Sequence, residues 1–548
     1  MSALSARGAA VLQAPPGAGK TTRVPLALLA AGTSPGKIVM LEPRRVAARA
    51  AAERLAESLG ETPGSRVGYR MRGGSVPGSA IEVVTEGVLT RKLQDDPSLE
   101  GVGAVIFDEF HERALQADLG LALLLEARTA LRPDLRLVIM SATLDAAPVA
   151  ALLGDVPVIA AEGRSFPVET IWLDRPWRGS GSGRAPRLEA ALAPVVREAL
   201  DASEGGALVF LPGRPEISRL SLALGGSLPS GVTLMELHGG LPLAAQREVL
   251  RPARLGRKLV LATALAETAL TIPDVRVVVD AGLARRPVFD PSSGMSRQVT
   301  RQVSRSEAEQ RRGRAGRVAP GICHRFWTRA EEGALPAAPP PEIAAVDLAG
   351  LALELALWGA SEPGALAFLT PPPEAPLAEA KALLRRLGAL CPDGRITDHG
   401  RVLARLPLHP RLAHMLVRAG AAGEIRSAAE LAALCEARDV LRWEGPGRPP
   451  SDLGLRLAAL RNADALEADA PVRVNRPARK AVLKEAARLE RLAPAQGPLS
   501  GVGDGVSPGG LLSLAYPDRI ARRRQGTAPR YLLSGGTGGS LEPSDPLA

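Results

Sequence analysis

The chain has 548 residues, too many for one hydrophobic core, and its 46% hydrophobic content is ordinary for a globular protein of several domains. Its three cysteines stand far apart without a CxxC pair, and no apolar run reaches the roughly 20 residues of a membrane-spanning helix, which excludes a disulfide framework, a cysteine-based zinc site and a membrane partner. The net charge of +10 fits a polyanionic partner, although an arginine-rich composition imposed by a GC-rich genome would give the same charge.

Short β-rich runs alternate with helical patterns in the first part of the chain. The predicted strands are 10–13, 38–42, 81–85, 102–108 and 136–141, and the helices between several of them are 21–31, 46–59 and 114–130. A second series of strands follows at 168–173, 207–212, 232–238, 258–263, 275–281 and 322–327. Such alternation favours parallel sheets with right-handed crossovers. The predicted fold class is therefore α/β, with two domains in tandem.

Proline-rich segments at 335–341 and 371–376 mark the end of this pattern. The chain is then mostly helical up to about residue 490. A Gly/Pro/Ser stretch at 494–510 predicts a linker or long loop, and an arginine cluster and a strand-like run at 530–534 follow.

A phosphate-binding loop is predicted between the first strand and the first helix. Glycines such as Gly17 and Gly19 let backbone N–H groups approach phosphates, Lys20 would reach the β- and γ-phosphates, and the Thr21 hydroxyl would bind Mg²⁺. Ala14 replaces the first glycine of the usual pattern. A chance glycine-rich turn is the alternative, but the intact GAGKT core favours a site for ATP with Mg²⁺.

An acidic pair, Asp108 and Glu109, ends the apolar strand at 102–107. A P-loop enzyme needs a carboxylate that holds Mg²⁺, here through water, and a base that activates the attacking water. Asp108 suits the first role and Glu109 the second. Alone, such a pair is often a solvated strand end or a helix cap, but downstream of a P-loop it favours catalysis.

The arginine-rich segment 310–317 reads QRRGRAGR, and on composition alone it would be an exposed basic helix face. Its place after a P-loop, an acidic pair and the triplet from Ser141 to Thr143 resembles the superfamily 2 helicases. The sequence DEFHER at 108–113 resembles the DEAH-box branch of that superfamily. Together with segments 162–167 and 516–524, this sequence is most similar to the bacterial HrpB group.

The resemblance implies an architecture for the whole chain. It implies two RecA-like motor domains, followed by a winged-helix domain, a helical ratchet-like bundle, and a linker with the start of a C-terminal domain that is OB-like. The corresponding residues are 1–160, 161–335, 336–410, 411–493 and 494–548. Family members have a longer helix before the P-loop and continue well beyond the position of Ala548, so we expect a form shortened at both ends.

The resemblance also implies roles for individual residues. ATP would lie between the motor domains, where arginine fingers from the second domain neutralise charge on the transferred phosphoryl group. The catalytic residues so implied are Glu109, Gln310 (orienting the water), Arg314 and Arg317. Those implied for nucleotide binding are Gly17, Ala18, Gly19, Lys20, Thr21, Thr22 and Arg54. Those implied for nucleic-acid binding are Arg44, Arg45, Thr85, Gly87 and Thr263. Those implied for coupling the two activities are His111, Ser141 and Thr143.

Two departures from the family pattern concern specificity. Ala264 and Ala269 replace the usual Asn and Ser of motif V, which removes polar groups that could contact nucleic acid or ATP. Segment 241–256 contains no aromatic residue to face the base, so selectivity for adenine should be weak.

A β-hairpin is predicted at 287–301, with residues 291–294 as its turn. In the family this hairpin separates duplex strands. A hairpin that only packs on the motor is the alternative.

Together these features predict an ATP-dependent helicase that moves 3′→5′ on a single strand, RNA being favoured over DNA. Two alternatives stay open: an NTP-driven remodeller that does not unwind, and a catalytically idle RNA-binding scaffold. With no signal-peptide pattern, a cytoplasmic location is expected.

Overall fold

The computed structural model describes residues 1–15, 17–32, 35–142, 146–161, 166–177, 187–226, 228–267, 272–290, 294–360, 362–420, 422–445, 449–494 and 506–548. The chain forms two compact units. The first comprises Met1–Phe289, Ser296–Val346 and Gly364–Pro372, and the second comprises Asp290–Met295, Asp347–Pro363 and Pro373–Ala548. Among these described residues, no helix is both long and apolar enough to cross a membrane.

The first unit begins with an eight-stranded sheet of order β4-β3-β5-β2-β6-β7-β1-β8. Its neighbouring strands are parallel except for the antiparallel pair β3–β4. The strands are β1 (Ala9–Gln13), β2 (Lys37–Leu41), β3 (Val67–Met71), β4 (Gly74–Val76), β5 (Ile81–Val84), β6 (Val102–Phe107), β7 (Arg136–Ser141) and β8 (Val158–Ala160). The helices are α1 (Ser2–Arg7), α2 (Lys20–Ala31), α3 (Arg45–Ser58), α4 (Glu86–Asp95), α5 (Leu115–Ala130) and α6 (Ala146–Leu152).

The central strands of this sheet are covered on both faces, which explains their continuous apolar sequences. Every residue of β5 and β6 is buried. Helix α3 packs close to the sheet through alanines such as Ala48 and Ala52, both fully buried. Each large aliphatic side chain buried here contributes about 1.5–3 kcal/mol relative to exposure, so the sheet is a rigid base for the loops at its edge.

A second, six-stranded parallel sheet follows in the same unit, with order β11-β12-β10-β13-β16-β9. The strands of this sheet are β9 (Val168–Trp172), β10 (Gly206–Phe210), β11 (Val232–Leu237), β12 (Arg257–Ala262), β13 (Val275–Asp280) and β16 (Gly321–Arg325). A separate hairpin is formed by β14 (Leu283–Asp290) and β15 (Met295–Gln302). The helices are α7 (Leu188–Asp201), α8 (Arg214–Leu224), α9 (Leu243–Leu250), α10 (Arg305–Arg312) and α11 (Arg329–Gly333).

The second unit is mostly helical, as the sequence predicts. Its helices are α12 (Ala349–Trp358), α13 (Glu374–Arg386), α14 (Asp398–Arg405), α15 (Pro410–Gly420), α16 (Ile425–Glu436), α17 (Leu453–Arg461), α18 (Ala463–Asp469), α19 (Arg476–Leu492) and α20 (Pro508–Ala515). Its strands are the antiparallel pair β17 (Leu441–Trp443) and β18 (Val472–Val474), and a three-stranded sheet of β19 (Ala521–Arg523), β20 (Arg530–Leu533) and β21 (Gly538–Ser540).

The last segment of the chain is tied to this unit by a buried ion pair. Arg411 of α15 donates to both carboxylate oxygens of Asp518, at 2.5 and 2.9 Å, and also to the carbonyl of Ala515. Bidentate pairs of this kind are the strong ones, so residues 515–518 are held firmly against α15.

The predicted α/β class and both series of strands are confirmed, and the hairpin is present with longer strands than predicted. Its turn at 291–293 lies outside the described residues, as does much of the predicted linker at 494–510. The sequence analysis missed β3, β4 and β8 in the first unit, and β17, β18, β19 and β21 in the second. These strands have three to five residues, and β8 is exposed throughout, so none carries a long apolar run.

Candidate active site between the two sheets

The predicted P-loop connects β1 to α2. Gly17 and Gly19 have left-handed backbone angles, φ 89° and 81°, which a side chain would strain. Ala14 is not among the residues with positive φ, so alanine is accommodated at that position without strain. Lys20 is the first residue of α2 and is buried despite its charge. The loop and helix N-terminus together form the backbone arrangement that binds phosphates.

The acidic pair lies at the end of β6, which is separated from β1 by β7 in the sheet. The Thr21 hydroxyl donates to Asp108 Oδ2 at 2.5 Å, and Lys20 Nζ donates to Glu109 Oε2 at 3.0 Å. The backbone N–H of Glu109 donates to Asp108 Oδ1 at 2.8 Å. The structure therefore brings together the four residues predicted to hold phosphate and Mg²⁺ and to activate water.

The two carboxyl groups have opposite pKa shifts. Burial, followed by the charge of Glu109, raises the pKa of Asp108. Burial also opposes ionisation of Glu109, but the charge of Lys20 outweighs it and holds the pKa of Glu109 below its usual value. Glu109 is thus the more readily ionised of the two carboxyl groups, and the ionised form is the one that can accept a proton from water.

Helix α10 carries the arginine segment and begins with a capping box of Ser304 and Glu307. Arg311 is fully buried between Glu267 and Asp280, at 2.6 Å from an oxygen of each, and lies over the ring of Phe210. The sequence reading assigned no role to Arg311, Glu267 or Asp280. A charged residue at the end of an apolar strand, as Asp280 is, was the available signal.

The two predicted arginine fingers follow this buried cluster. Arg314 is buried and donates to the backbone carbonyl of Glu267. Burial lowers the pKa of Arg317 to about 10, against the opposing charge of Glu109, so Arg317 stays positively charged at neutral pH. The Arg311 cluster fixes the turn that carries both arginines.

A cavity of about 500 Å³ is walled by both sheets. The first sheet contributes the P-loop, Glu109 and Arg54, and the second contributes Arg317 and Leu250. The residues lining it are Gly17, Gly19, Lys20, Thr21, Thr22, Glu42, Ala47, Ala50, Ala51, Arg54, Glu109, Leu250 and Arg317. This is the predicted placement of a nucleotide, with no aromatic side chain among these residues.

Hard oxygen groups suited to Mg²⁺ lie in this cavity, namely the Thr21 hydroxyl and the carboxylates near it. Among the described residues, no group of three or more His, Cys, Asp or Glu side chains is arranged to hold a metal by itself. The arrangement fits a Mg²⁺ ion that keeps several of its waters and binds together with the phosphates of a nucleotide. Such an ion would neutralise part of the phosphate charge.

A second cavity of about 270 Å³ is lined by Arg44, His111, Glu112 and Gln310, among others. The backbone N–H of Ala142 donates to His111 Nδ1 at 3.3 Å, which links the acidic segment to the segment after β7. Burial lowers the pKa of His111, consistent with a neutral ring that accepts this bond. Gln310 lines this second cavity and is not among the residues that line the nucleotide cavity. Its predicted role in orienting water therefore stays a prediction.

The predicted nucleic-acid residues all follow the carboxyl ends of parallel strands, where sites of α/β sheets form. Arg45 and Gly87 are exposed, and Thr85 and Thr263 are half-buried. Arg44 has protein partners: it donates to the carbonyls of Ala264 at 3.0 Å and Leu265 at 3.3 Å, and its other amino group lies 3.3 Å from Glu112. These bonds join the two sheets, a contact that the sequence reading missed.

Of the predicted coupling residues, His111 and Ser141 are buried in this region, and Thr143 lies outside the described residues. Part of motif V, including Ala269, lies outside them as well.

Comparison with known proteins agrees with this geometry. The DEAD/DEAH box helicase model matches residues 1–152, and the helicase conserved C-terminal domain model matches residues 191–319. The chain belongs to the DEAD/DEAH-box helicase family.

Within that family the predicted likeness to the bacterial HrpB group is confirmed. The chain is 44% identical to the ATP-dependent RNA helicase HrpB of Escherichia coli over 551 residues, which is all of this chain and 64% of that protein. It is 35% identical to the splicing factor prp22 of Schizosaccharomyces pombe, an ATP-dependent RNA helicase, over 76% of this chain and 36% of that protein. A crystal structure of the Escherichia coli DEAH/RHA helicase HrpB matches with a TM-score of 0.84 and 44% identity, over 100% of this chain and 65% of that one.

Proposed function

We propose that the chain is the motor part of an ATP-dependent RNA helicase that moves 3′→5′ along a single strand. The observation that carries this proposal is the cavity walled by both sheets, with Lys20 and Glu109 on one side and Arg317 on the other. The chain spans 64% of the length of the HrpB relative, so the activity is proposed for this part of the molecule.

In this mechanism Lys20 and the P-loop backbone would bind the β- and γ-phosphates, and Thr21 and Asp108 would hold Mg²⁺, Asp108 through water. A phosphate that binds Lys20 competes with Glu109 for the ammonium group. Released from Lys20, the Glu109 carboxylate would accept the proton of the attacking water. Arg314 and Arg317 would stabilise the charge that develops on the transferred phosphoryl group, a contribution of roughly 10³–10⁵ in rate.

Movement would follow from closure and reopening of the cleft. Because the fingers come from the second sheet and the P-loop from the first, hydrolysis requires both sheets to face each other. The single strand would contact Arg45, Thr85, Gly87 and Thr263 through its phosphates and sugars, contacts that carry no sequence preference.

The remaining assignments are part of this proposal. Residues 336–410 would form the winged-helix domain, 411–493 the ratchet-like bundle, and 494–548 the linker with the start of an OB-like domain. A cytoplasmic location is the setting in which we expect the motor to work. Arg54, which lines the cavity, would lie against the base of ATP, and Leu250, which also lines it, offers no polar group that distinguishes one base from another.

ATP hydrolysis with and without single-stranded RNA tests the proposal. The wild-type chain should hydrolyse ATP, and RNA should raise the rate. Lys20→Ala should abolish nucleotide binding because it removes the phosphate-binding charge. Glu109→Gln should bind a fluorescent ADP analogue normally but lose about 10²–10⁴-fold in turnover, since only proton transfer is impaired.

Two results would contradict this assignment. Near wild-type turnover by Glu109→Gln would remove Glu109 from the chemistry. Absence of hydrolysis by the wild-type chain, with or without RNA, would favour the RNA-binding scaffold instead.

A further inference from the structure

Glu42 follows strand β2 at the wall of the nucleotide cavity and is only 1% exposed. In the register of the sheet Leu41 pairs with Phe107, and the N–H of Asp108 donates to the carbonyl of Leu41 at 3.0 Å. Glu42 and Asp108 therefore follow neighbouring strands side by side. The N–H of Glu42 donates to the carbonyl of Val84 at 2.9 Å, which fixes its backbone within the sheet.

The charge of Glu42 has acidic neighbours. Neither oxygen of its carboxylate accepts a hydrogen bond by distance and angle from the described part of the chain. Burial first, and then Asp108, Glu109 and Glu112, raise the pKa of Glu42 well above its usual value. A buried carboxylate in such a setting costs several kcal/mol unless a cation or a proton neutralises it.

Glu82, in the next strand β5, shows the contrast. It is also fully buried, but it lies 2.8 Å from Lys92 Nζ and 3.2 Å from an amino group of Arg70. The protein thus provides basic side chains for the buried glutamate outside the cavity. The carboxylate oxygens of Glu82, like those of Glu42, accept no bond of hydrogen-bond geometry from the described residues, so the ion pairs of Glu82 make the difference. For Glu42, inside the cavity, the neighbouring charged groups among the described residues that shift its pKa are all acidic.

We propose that Glu42 belongs to the divalent-cation site of the cavity and accepts hydrogen bonds from the water shell of the cation, beside Asp108. This inference rests on the proposed function, because the cation enters with the nucleotide. A role through water agrees with the finding that the described residues form no three-ligand metal cluster. Groups that bind a metal indirectly in this way orient the water shell and raise affinity for the ion.

The experiment measures the cation requirement of nucleotide binding, without hydrolysis. A fluorescent ADP analogue is titrated into the full chain at a series of Mg²⁺ and Mn²⁺ concentrations. Glu42→Gln keeps the size of the side chain and removes its charge. We expect it to raise the half-saturating cation concentration about 10–100-fold, the range seen when groups around metal ligands are removed. Glu42→Asp, which keeps the charge, should fall between Glu42→Gln and the wild type.

Glu82→Gln is the matched control, a buried glutamate in the adjacent strand whose partners are basic side chains. It should lose stability in urea unfolding, since Lys92 is left without its partner, but its cation requirement should match that of the wild type. If Glu42→Gln does not fold, the same titration of Glu42→Asp decides the question, with an increase expected.

An unchanged cation requirement in folded Glu42→Gln, with normal binding of the ADP analogue, overturns the proposal and assigns a proton shared with Asp108 as the neutralising group. That result leaves the proposed function standing. Failure of the wild type to bind nucleotide at any cation concentration would instead contradict the proposed function itself.

Discussion

Two residues of the active-site turn, Glu109 and Arg113, have left-handed backbone angles, φ 49° each. Such angles cost on the order of 1–3 kcal/mol in residues other than glycine and persist only where other contacts hold them. Glu109 is held by Lys20, and Arg113 forms a bidentate pair with Asp118 at 2.9 and 3.1 Å. The turn thereby directs Glu109 towards Lys20 and places His111, two residues later, next to the segment after β7.

The motifs allowed Lys20, Thr21, Asp108 and Glu109 to be predicted, because each role is tied to a fixed place in a P-loop enzyme. The partners of Arg44 could not be predicted in this way. Two of them are backbone carbonyls in the turn that follows β12 of the second sheet, and no local pattern indicates which strand ends approach each other. Glu42 was missed for a similar reason, since its burial beside Asp108 follows from the strand order rather than from its sequence neighbours.

Arg44 and Arg45 are adjacent in sequence, but we expect their substitutions to have different effects. Arg44→Ala removes the bonds between the sheets and should lower the RNA-stimulated hydrolysis rate roughly 10-fold at saturating RNA, as expected for loss of a charged hydrogen bond. Arg45→Ala should leave that maximal rate unchanged and raise the RNA concentration needed to reach half of it. Steady-state ATPase assays over a range of RNA concentrations separate the two parameters. If both variants changed only the RNA requirement, Arg44 would be a nucleic-acid contact as well.

At the scale of elements, the fully buried strands were predicted well, and most of the short strands with exposed positions were not. Strand β6 has six consecutive buried positions and β7 has five. The resulting apolar runs can be recognised in the sequence without knowing which strands lie beside them. Strand β3 has an exposed residue and β4 has only three residues, so their structure depends on pairing at the sheet edge. Their sequences alone carry too little signal to distinguish them from a loop.

The hairpin β14–β15 should separate strand displacement from ATP hydrolysis. Seven of the eight residues of β15 are exposed, so little of the core depends on it. Replacing residues 289–298 with a short Gly/Ser connection should leave RNA-stimulated ATPase largely intact and suppress unwinding of a duplex with a 3′ single-stranded tail. A fluorescence-based unwinding assay, run beside the ATPase assay, measures both.

The matched control for this replacement is a Gly/Ser substitution of residues 525–528, the exposed turn between β19 and β20. It should affect neither activity. Loss of both activities in the hairpin variant would show that the hairpin supports the fold of the motor. Retention of both would remove the hairpin from the mechanism of strand separation.

At the scale of the whole molecule, the net charge of +10 has two explanations that binding measurements can separate. If the arginines only reflect genome composition, binding of single-stranded RNA should be weak and should depend little on salt. If the phosphates of the strand are bound at Arg45 and neighbouring positions, affinity should fall steeply as salt rises, with a slope of about −0.7 per phosphate contact on logarithmic axes.

We therefore expect RNAs of equal length and unrelated sequence to bind with similar affinity, and to lose it together as salt increases. Fluorescence anisotropy with labelled oligonucleotides at several salt concentrations measures both effects. Arg45→Ala should reduce the salt slope by about one contact for every sequence, because it removes one phosphate contact. A strong preference for one sequence that persists at high salt would contradict the proposal, since it would require contacts to base edges. Such a preference would point to a binding protein for one target and away from a motor that moves along any strand.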